Sequence, residues 1–177
     1  MRKLSCVAWI LVLLLCGACG SREAQNPAKA VLSPAKRVVS LAPSITETVF
    51  ALGGGDRLVG VTRYCFYPPE ARKISKIGGY IDPSFEAILR LRPDLVVVTV
   101  ENHEVSAKLN GLGLKTLVVN QNTISGILKS VTQIGGALGE EERARKIVSR
   151  IKDGIERVRR RTEGLRRPRV LLSMGRA

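Results

Sequence analysis

Two tyrosines three residues apart, Tyr64 and Tyr67, flank Cys65 in the segment Tyr64-Cys-Phe-Tyr-Pro-Pro69. A tyrosine combines a flat face suited to stacking with a hydroxyl that makes one directed hydrogen bond. Both follow a β-rich run, Leu58–Thr62, so they fall at the carboxyl end of a strand. In open α/β sheets, ligands bind at that edge. Each tyrosine also has a structural explanation, packing against Pro68 and Pro69. Cys65 could ligate a soft metal, although a lone buried thiol is the commoner condition. Glu86 falls in the first turn of a helix expected from Asp82 to Leu91, where any carboxylate complements the helix dipole. Ser44, Glu47 and Asp82 read as helix caps, and Pro83 as a first-turn proline. The free N–H groups at the start of the Ser44 helix could also meet a ligand phosphate or carboxylate. His103 follows the run Asp94–Thr99 and could reach the rim of that edge, but reads first as a solvated loop residue.

Other chemistries lack their residues. One histidine rules out a His-rich metal cluster. It also leaves no Ser/His/Asp arrangement, and no nucleophile elbow is present. Gly53-Gly54-Gly55 follows a helical segment rather than linking strand to helix, so it is no dinucleotide fingerprint. Bond-making catalysis is not expected.

The amino terminus reads as an export signal. Arg2 and Lys3 precede an apolar run of 11 residues, Cys6–Cys16, too short to cross a bilayer comfortably. It leads into Cys16-Gly17-Ala18-Cys19, which resembles a bacterial lipobox with Cys19 as the lipidated mature terminus, although Cys16 stands where leucine is usual. An ordinary cleaved secretory signal and an uncleaved anchor are the competing readings. All three place the chain outside the cytoplasm, in the periplasm or cell envelope.

Residues 20–177, beyond the signal and its cysteine, number 158 of the 177, enough for one domain with a core. Cys65 is then the one unmodified cysteine, so no internal disulfide can form and stability must come from packing. The formal charge of +14 would ordinarily point to nucleic acid or an anionic surface. Export and the scarcity of aromatic residues argue against nucleic acid. Residues 140–167 hold 11 Lys/Arg against 6 Asp/Glu, which reads as the solvated face of a helix.

Strand and helix patterns alternate throughout. Residues 20–36 read as a polar tether, with folded structure expected from Arg37. Strands are expected at Arg37–Ala42, Leu58–Thr62, Asp94–Thr99 and Lys115–Val119. Helices fall between them: one from Ser44 to the Gly53 turn, one at Ser84–Leu91, one at about Glu104–Leu112, and one at Ile124–Leu138. The uninterrupted apolar run Leu95–Val98 is typical of a strand buried on both faces of a parallel sheet. The predicted class is α/β, a Rossmann-like parallel sheet flanked by helices. From 140 to 165 a single apolar stripe (Ala144, Ile147, Val148, Ile151, Ile155, Val158) predicts one long helix of ~26 residues, about 39 Å. After Pro168 the run Arg169–Met174 reads as a new strand with no sheet to join, which implies that the sequence is part of a longer protein.

Several of these segments, in order, are similar to the N-terminal half of the iron-siderophore and vitamin B12 class of substrate-binding proteins of ABC importers. They are Arg37-Val-Val-Ser-Leu-Ala-Pro-Ser-Ile-Thr-Glu47, Leu58-Val-Gly-Val-Thr62, Tyr64-Cys-Phe-Tyr-Pro-Pro69 and Gly78-Gly79. Ser84-Phe-Glu-Ala-Ile-Leu-Arg-Leu-Arg-Pro-Asp-Leu95, Gly113-Leu-Lys-Thr-Leu-Val-Val119 and Ile134-Gly-Gly-Ala-Leu-Gly139 complete the set. The resemblance implies an N-terminal lobe (37–139), an interlobe helix (140–167) and the start of a second lobe (168–177). It further implies ligand capture in a cleft between lobes, with Tyr64 and Tyr67 as ligand contacts. Glu86 would dock on arginines of an inner-membrane permease. The implied ligand is a corrinoid such as cobalamin. A ferric siderophore or haem is the alternative, as is a truncated half without function. The implied receptor is a monomer, tethered by lipid, with no catalytic cofactor.

Overall fold

The computed structural model describes residues 33–172; the predicted signal, Cys19 and most of the expected tether lie outside them. Four strands, β1 (Val38–Ser40), β2 (Leu58–Val61), β3 (Leu95–Thr99) and β4 (Thr116–Val119), form one sheet in the order β2-β1-β3-β4. All neighbours are parallel, with Val38 opposite both Leu58 and Leu95, and Val96 opposite Thr116. Each step between parallel strands needs a helical crossover, and the alternating sequence supplies it. The helices are α1 (Pro43–Ala51), α2 (Phe85–Arg90), α3 (His103–Gly111) and α4 (Ile124–Leu138), followed by α5 (Glu141–Thr162).

Alternation along the strands divides the core in two. Val38, Val97 and Val119 face Ile45, Val49 and Leu52 of α1 and Val131, Ile134 and Leu138 of α4. Val39, Val96 and Val98 face Ile88 of α2 and Leu109 of α3. All five residues of β3 are buried, as the unbroken apolar run requires.

The expected α4 is realised with its bounds unchanged. The Thr123 hydroxyl accepts from Gly126 N at one end, and Gly139 at φ 70° ends it at the other. Helix α5 is a single unbroken helix of 22 residues, about 33 Å long. Its first half is locked to α4: a Cβ on Gly135 would lie 2.5 Å from Ala144 Cβ.

Several local expectations are corrected. Ser44 and Glu47 form no capping box, because Pro43 takes the first helical position and makes Ala42 the N-cap. Asp82 does not cap α2. Ser84 does, accepting from Ala87 N at 3.2 Å, while Pro83 bridges Gly78 before the helix begins. His103 opens α3 instead of lying in a loop. Order begins before Arg37: Ala35 N donates to Ala137 O and Lys36 N to Asp94 Oδ2. The expected strand at Arg169–Met174 is not formed over Arg169–Leu172, which are exposed and pair with no other strand; Ser173 and Met174 lie outside the described residues. A strand is defined by its neighbour, and this run has none among the described residues. No helix among the described residues is long and apolar enough to cross a membrane.

Candidate functional site

Chain direction along the sheet reverses at β1: the chain passes to β2 on one side and to β3 and β4 on the other. The loops leaving β1 and β3 therefore diverge, opening a crevice at the carboxyl edge. Beside it stands the long connection from β2 to α2, residues 62–84.

That connection is pinned from below. Cys65 is fully buried, its Sγ 3.2 Å from Thr46 Oγ1 and 3.1 Å from Thr62 Oγ1. The buried thiol is therefore an anchor for the loop. Ile77 N donates to Val61 O and Arg63 N to Gly78 O, extending the sheet edge by two rungs. Lys76 Nζ donates to the carbonyls of Cys65 (3.3 Å) and Ala71 (2.9 Å), and Arg72 Nε to Phe66 O. With Cys65 turned inward, its neighbours turn outward: Tyr64 is 52% exposed, Phe66 57% and Tyr67 67%. A rigid loop presenting three exposed aromatic rings is a surface built for contact.

The two predicted ligand tyrosines do not share one wall. Arg63 Cζ lies 5.7 Å from the centroid of the Tyr64 ring, a cation–π contact, and Arg63 also pairs with Asp82. Tyr67, joined to Pro68 by a cis peptide, lines a groove of about 530 Å³ between α1, α4 and α5. Glu47 and Thr48 form one side of that groove and Ile147 and Ile151 the other. Ser44 Oγ donates to Gln121 Oε1 at 2.6 Å, closing the end nearest the crevice. That bond is the role the structure gives Ser44 in place of capping.

Sequence reasoning missed Tyr80. Its hydroxyl is 2.7 Å from Thr99 Oγ1 at the end of β3 and 3.4 Å from Glu101 Oε2, and its carbonyl accepts from Asn102 Nδ2 at 2.9 Å. The third of the chain's three tyrosines thus ties the 62–84 loop to the switch point. Only its place after Gly78-Gly79 hinted at this. The Thr99 hydroxyl, the backbone N–H of Glu101 and the Asn122 side chain together hold the Glu101 carboxyl below the usual carboxylate range.

Glu86 lines neither groove beside Tyr67. It stands exposed in the first turn of α2, paired with Arg90 at 2.7 Å. His103 is exposed at the start of α3. Among the described residues no cluster of His, Cys, Asp or Glu could hold a metal ion.

A parallel sheet in the order β2-β1-β3-β4, covered by helices on both faces and followed by the long helix α5, is the α/β fold of half a periplasmic binding protein. Residues 38–176 match the periplasmic binding protein family, and the chain belongs to it; it is a family of binding proteins and not of enzymes. The chain is 34% identical over 146 residues to an uncharacterized ABC transporter substrate-binding lipoprotein, YvrC, of Bacillus subtilis (strain 168), covering 80% of this chain and 46% of that one. It is 33% identical over 146 residues to the vitamin B12-binding protein of Salmonella typhimurium, covering 81% and 54%. The periplasmic vitamin B12 binding protein BtuF of Vibrio cholerae superposes with a TM-score of 0.69 at 28% identity, over 74% of this chain and 52% of that one. A periplasmic heme binding protein from Pseudomonas aeruginosa gives a TM-score of 0.65 at 28% identity, over 73% and 46%. The chain spans about half the length of the curated relatives it matches.

Proposed function

We propose that the chain is the amino-terminal lobe and connecting helix of an extracytoplasmic receptor that captures a corrinoid such as cobalamin and hands it to an inner-membrane ABC permease. The observation that carries this reading is the pinned 62–84 loop, with Tyr64, Phe66 and Tyr67 exposed beside the switch-point crevice. Tyr64 and Tyr67 are the ligand contacts: flat faces for a macrocycle, with hydroxyls for its polar rim. Similarity to vitamin B12-binding and heme-binding proteins alike supports a broad metal chelate as the ligand. Haem or a ferric siderophore is therefore the second reading, and in it a tyrosine phenolate could reach iron.

Glu86 is proposed as the docking carboxylate. It projects from the lobe surface on a short helix, and its ion pair with Arg90 is exposed enough to exchange for an arginine of the permease. Cys19 is proposed as the lipidated residue that holds the receptor at the membrane. The second half of α5, with its uncovered stripe, is proposed to seat a second lobe.

Titrating the whole chain, extracted in detergent, with cobalamin and haem while following ligand absorbance tests the reading. Saturable binding is expected, weakened roughly tenfold by Tyr64→Ala or Tyr67→Ala with the far-ultraviolet circular dichroism unchanged. A full-strength isotherm in both variants would remove the tyrosines from the site.

A further inference from the structure

The densest positive charge of the chain is on helix α5 and not at the crevice. The loops after β1, β3 and β4 (residues 41–42, 100–102 and 120–123) contain no Lys or Arg. On the 62–84 loop the cations are mostly committed. Arg63 is paired with Asp82, Arg72 donates to Phe66 O, and Lys76 is spent on two backbone carbonyls. Lys73 remains, at the end of the short turn Pro69–Lys73. Helix α5, by contrast, carries nine Lys/Arg against four Asp/Glu.

What the crevice does hold is carboxylate. Glu101 sits on the loop leaving β3, at the switch point itself, within reach of the Tyr80 hydroxyl. Thr99, its own N–H and Asn122 hold its carboxyl below the usual range, and no Lys or Arg among the described residues forms an ion pair with it. Glu47 and Glu70 stand beside Tyr67 on the other flank, and no cation lines either groove there. An anionic ligand at this edge would meet the Glu101 carboxylate beside Tyr80, while the cation nearest Tyr64, Arg63, is already paired with Asp82. Like charges a few ångströms apart repel even under solvent screening.

We propose that this sheet edge selects metal chelates without net negative charge, with Glu101 as the residue that enforces the selection. The inference rests on the receptor reading and narrows it: a neutral corrinoid or a cationic ferric hydroxamate is accepted, and a carboxylate-bearing or catecholate chelate is disfavoured. The chain's net charge of +14, read alone, would have argued for the opposite.

The test uses the whole chain in detergent and two matched pairs of probes. One pair is a ferric trihydroxamate ending in a free ammonium and the same chelate succinylated to a carboxylate. The other is a corrinoid and its derivative with one side-chain amide hydrolysed to carboxylate. In whichever pair binds, the uncharged or cationic member should bind roughly three- to tenfold tighter at low salt, and the ratio should shrink as ionic strength rises. Glu101→Gln should bring the ratio to within about twofold, and Glu101→Lys should invert it. Equal or tighter binding of the anionic member, or a ratio unchanged in Glu101→Gln, overturns the charge selection while leaving the receptor reading standing. Failure of every probe to bind overturns the receptor reading, and this inference with it.

Discussion

The two halves of α5 have the same pattern and different surroundings. From Ala144 to Val148 the helix belongs to the lobe: Ala144 is buried against Gly135, and Ile147 and Val148 pack on the core formed by α1 and α4. From Ile155 onward the apolar spacing continues unchanged, yet Val158 is 62% exposed and nothing among the described residues covers it. Ion pairs within the helix run along both halves, Glu142 with Arg145 and Lys146, and Glu156 with Arg159 and Arg160. A stripe at helical spacing therefore records which face a helix offers, and packing records which part of that face is taken. In the first half the two agree. In the second the offer stands open, as a connecting rod requires on the proposed reading.

The contrast can be broken most sharply at the α4–α5 contact. Gly135→Val would drive a branched side chain into Ala144, and overpacking of this kind costs about 1–3 kcal/mol; the urea midpoint should fall accordingly. Loss of less than about 0.5 kcal/mol would mean that the first half of α5 is only loosely held. At the other end of the same helix, Val158→Ser should move the midpoint by no more than about 0.5 kcal/mol, as for exposed positions generally. A cost above about 1 kcal/mol there would show that the second half is covered in solution after all.

Much of the scaffold was legible because local and tertiary preferences coincide. The α4 bounds were readable from Thr123 and Gly139, which act within one turn of the helix ends. The buried strand Leu95–Thr99 was readable because both its faces are covered. Where two local rules competed, the reading failed: Pro43 displaced Ser44 from the cap, and Ser84 displaced Asp82. The run Arg169–Leu172 has strand composition, but a strand also needs a partner, which composition does not supply. The placement of Tyr64 and Tyr67 on an exposed loop just after a strand was legible from the run Leu58–Thr62. Tyr80 was not, because its bonds to Thr99 and Glu101 join segments about twenty residues apart. The location of charge was equally hidden, since a sum over the chain cannot say that nine of the cations lie on α5 or that Glu101 stands at the end of β3.

Hydrogen–deuterium exchange of the whole chain, with and without saturating cobalamin, tests the central claim most directly. Protection is expected in peptides covering residues 62–69 and 79–84, and in the loop at residues 100–102, with α2 and the second half of α5 unchanged. Protection confined to α5, or to the surface around Glu86, would place the ligand elsewhere and contradict a receptor lobe that captures its chelate at the switch-point crevice.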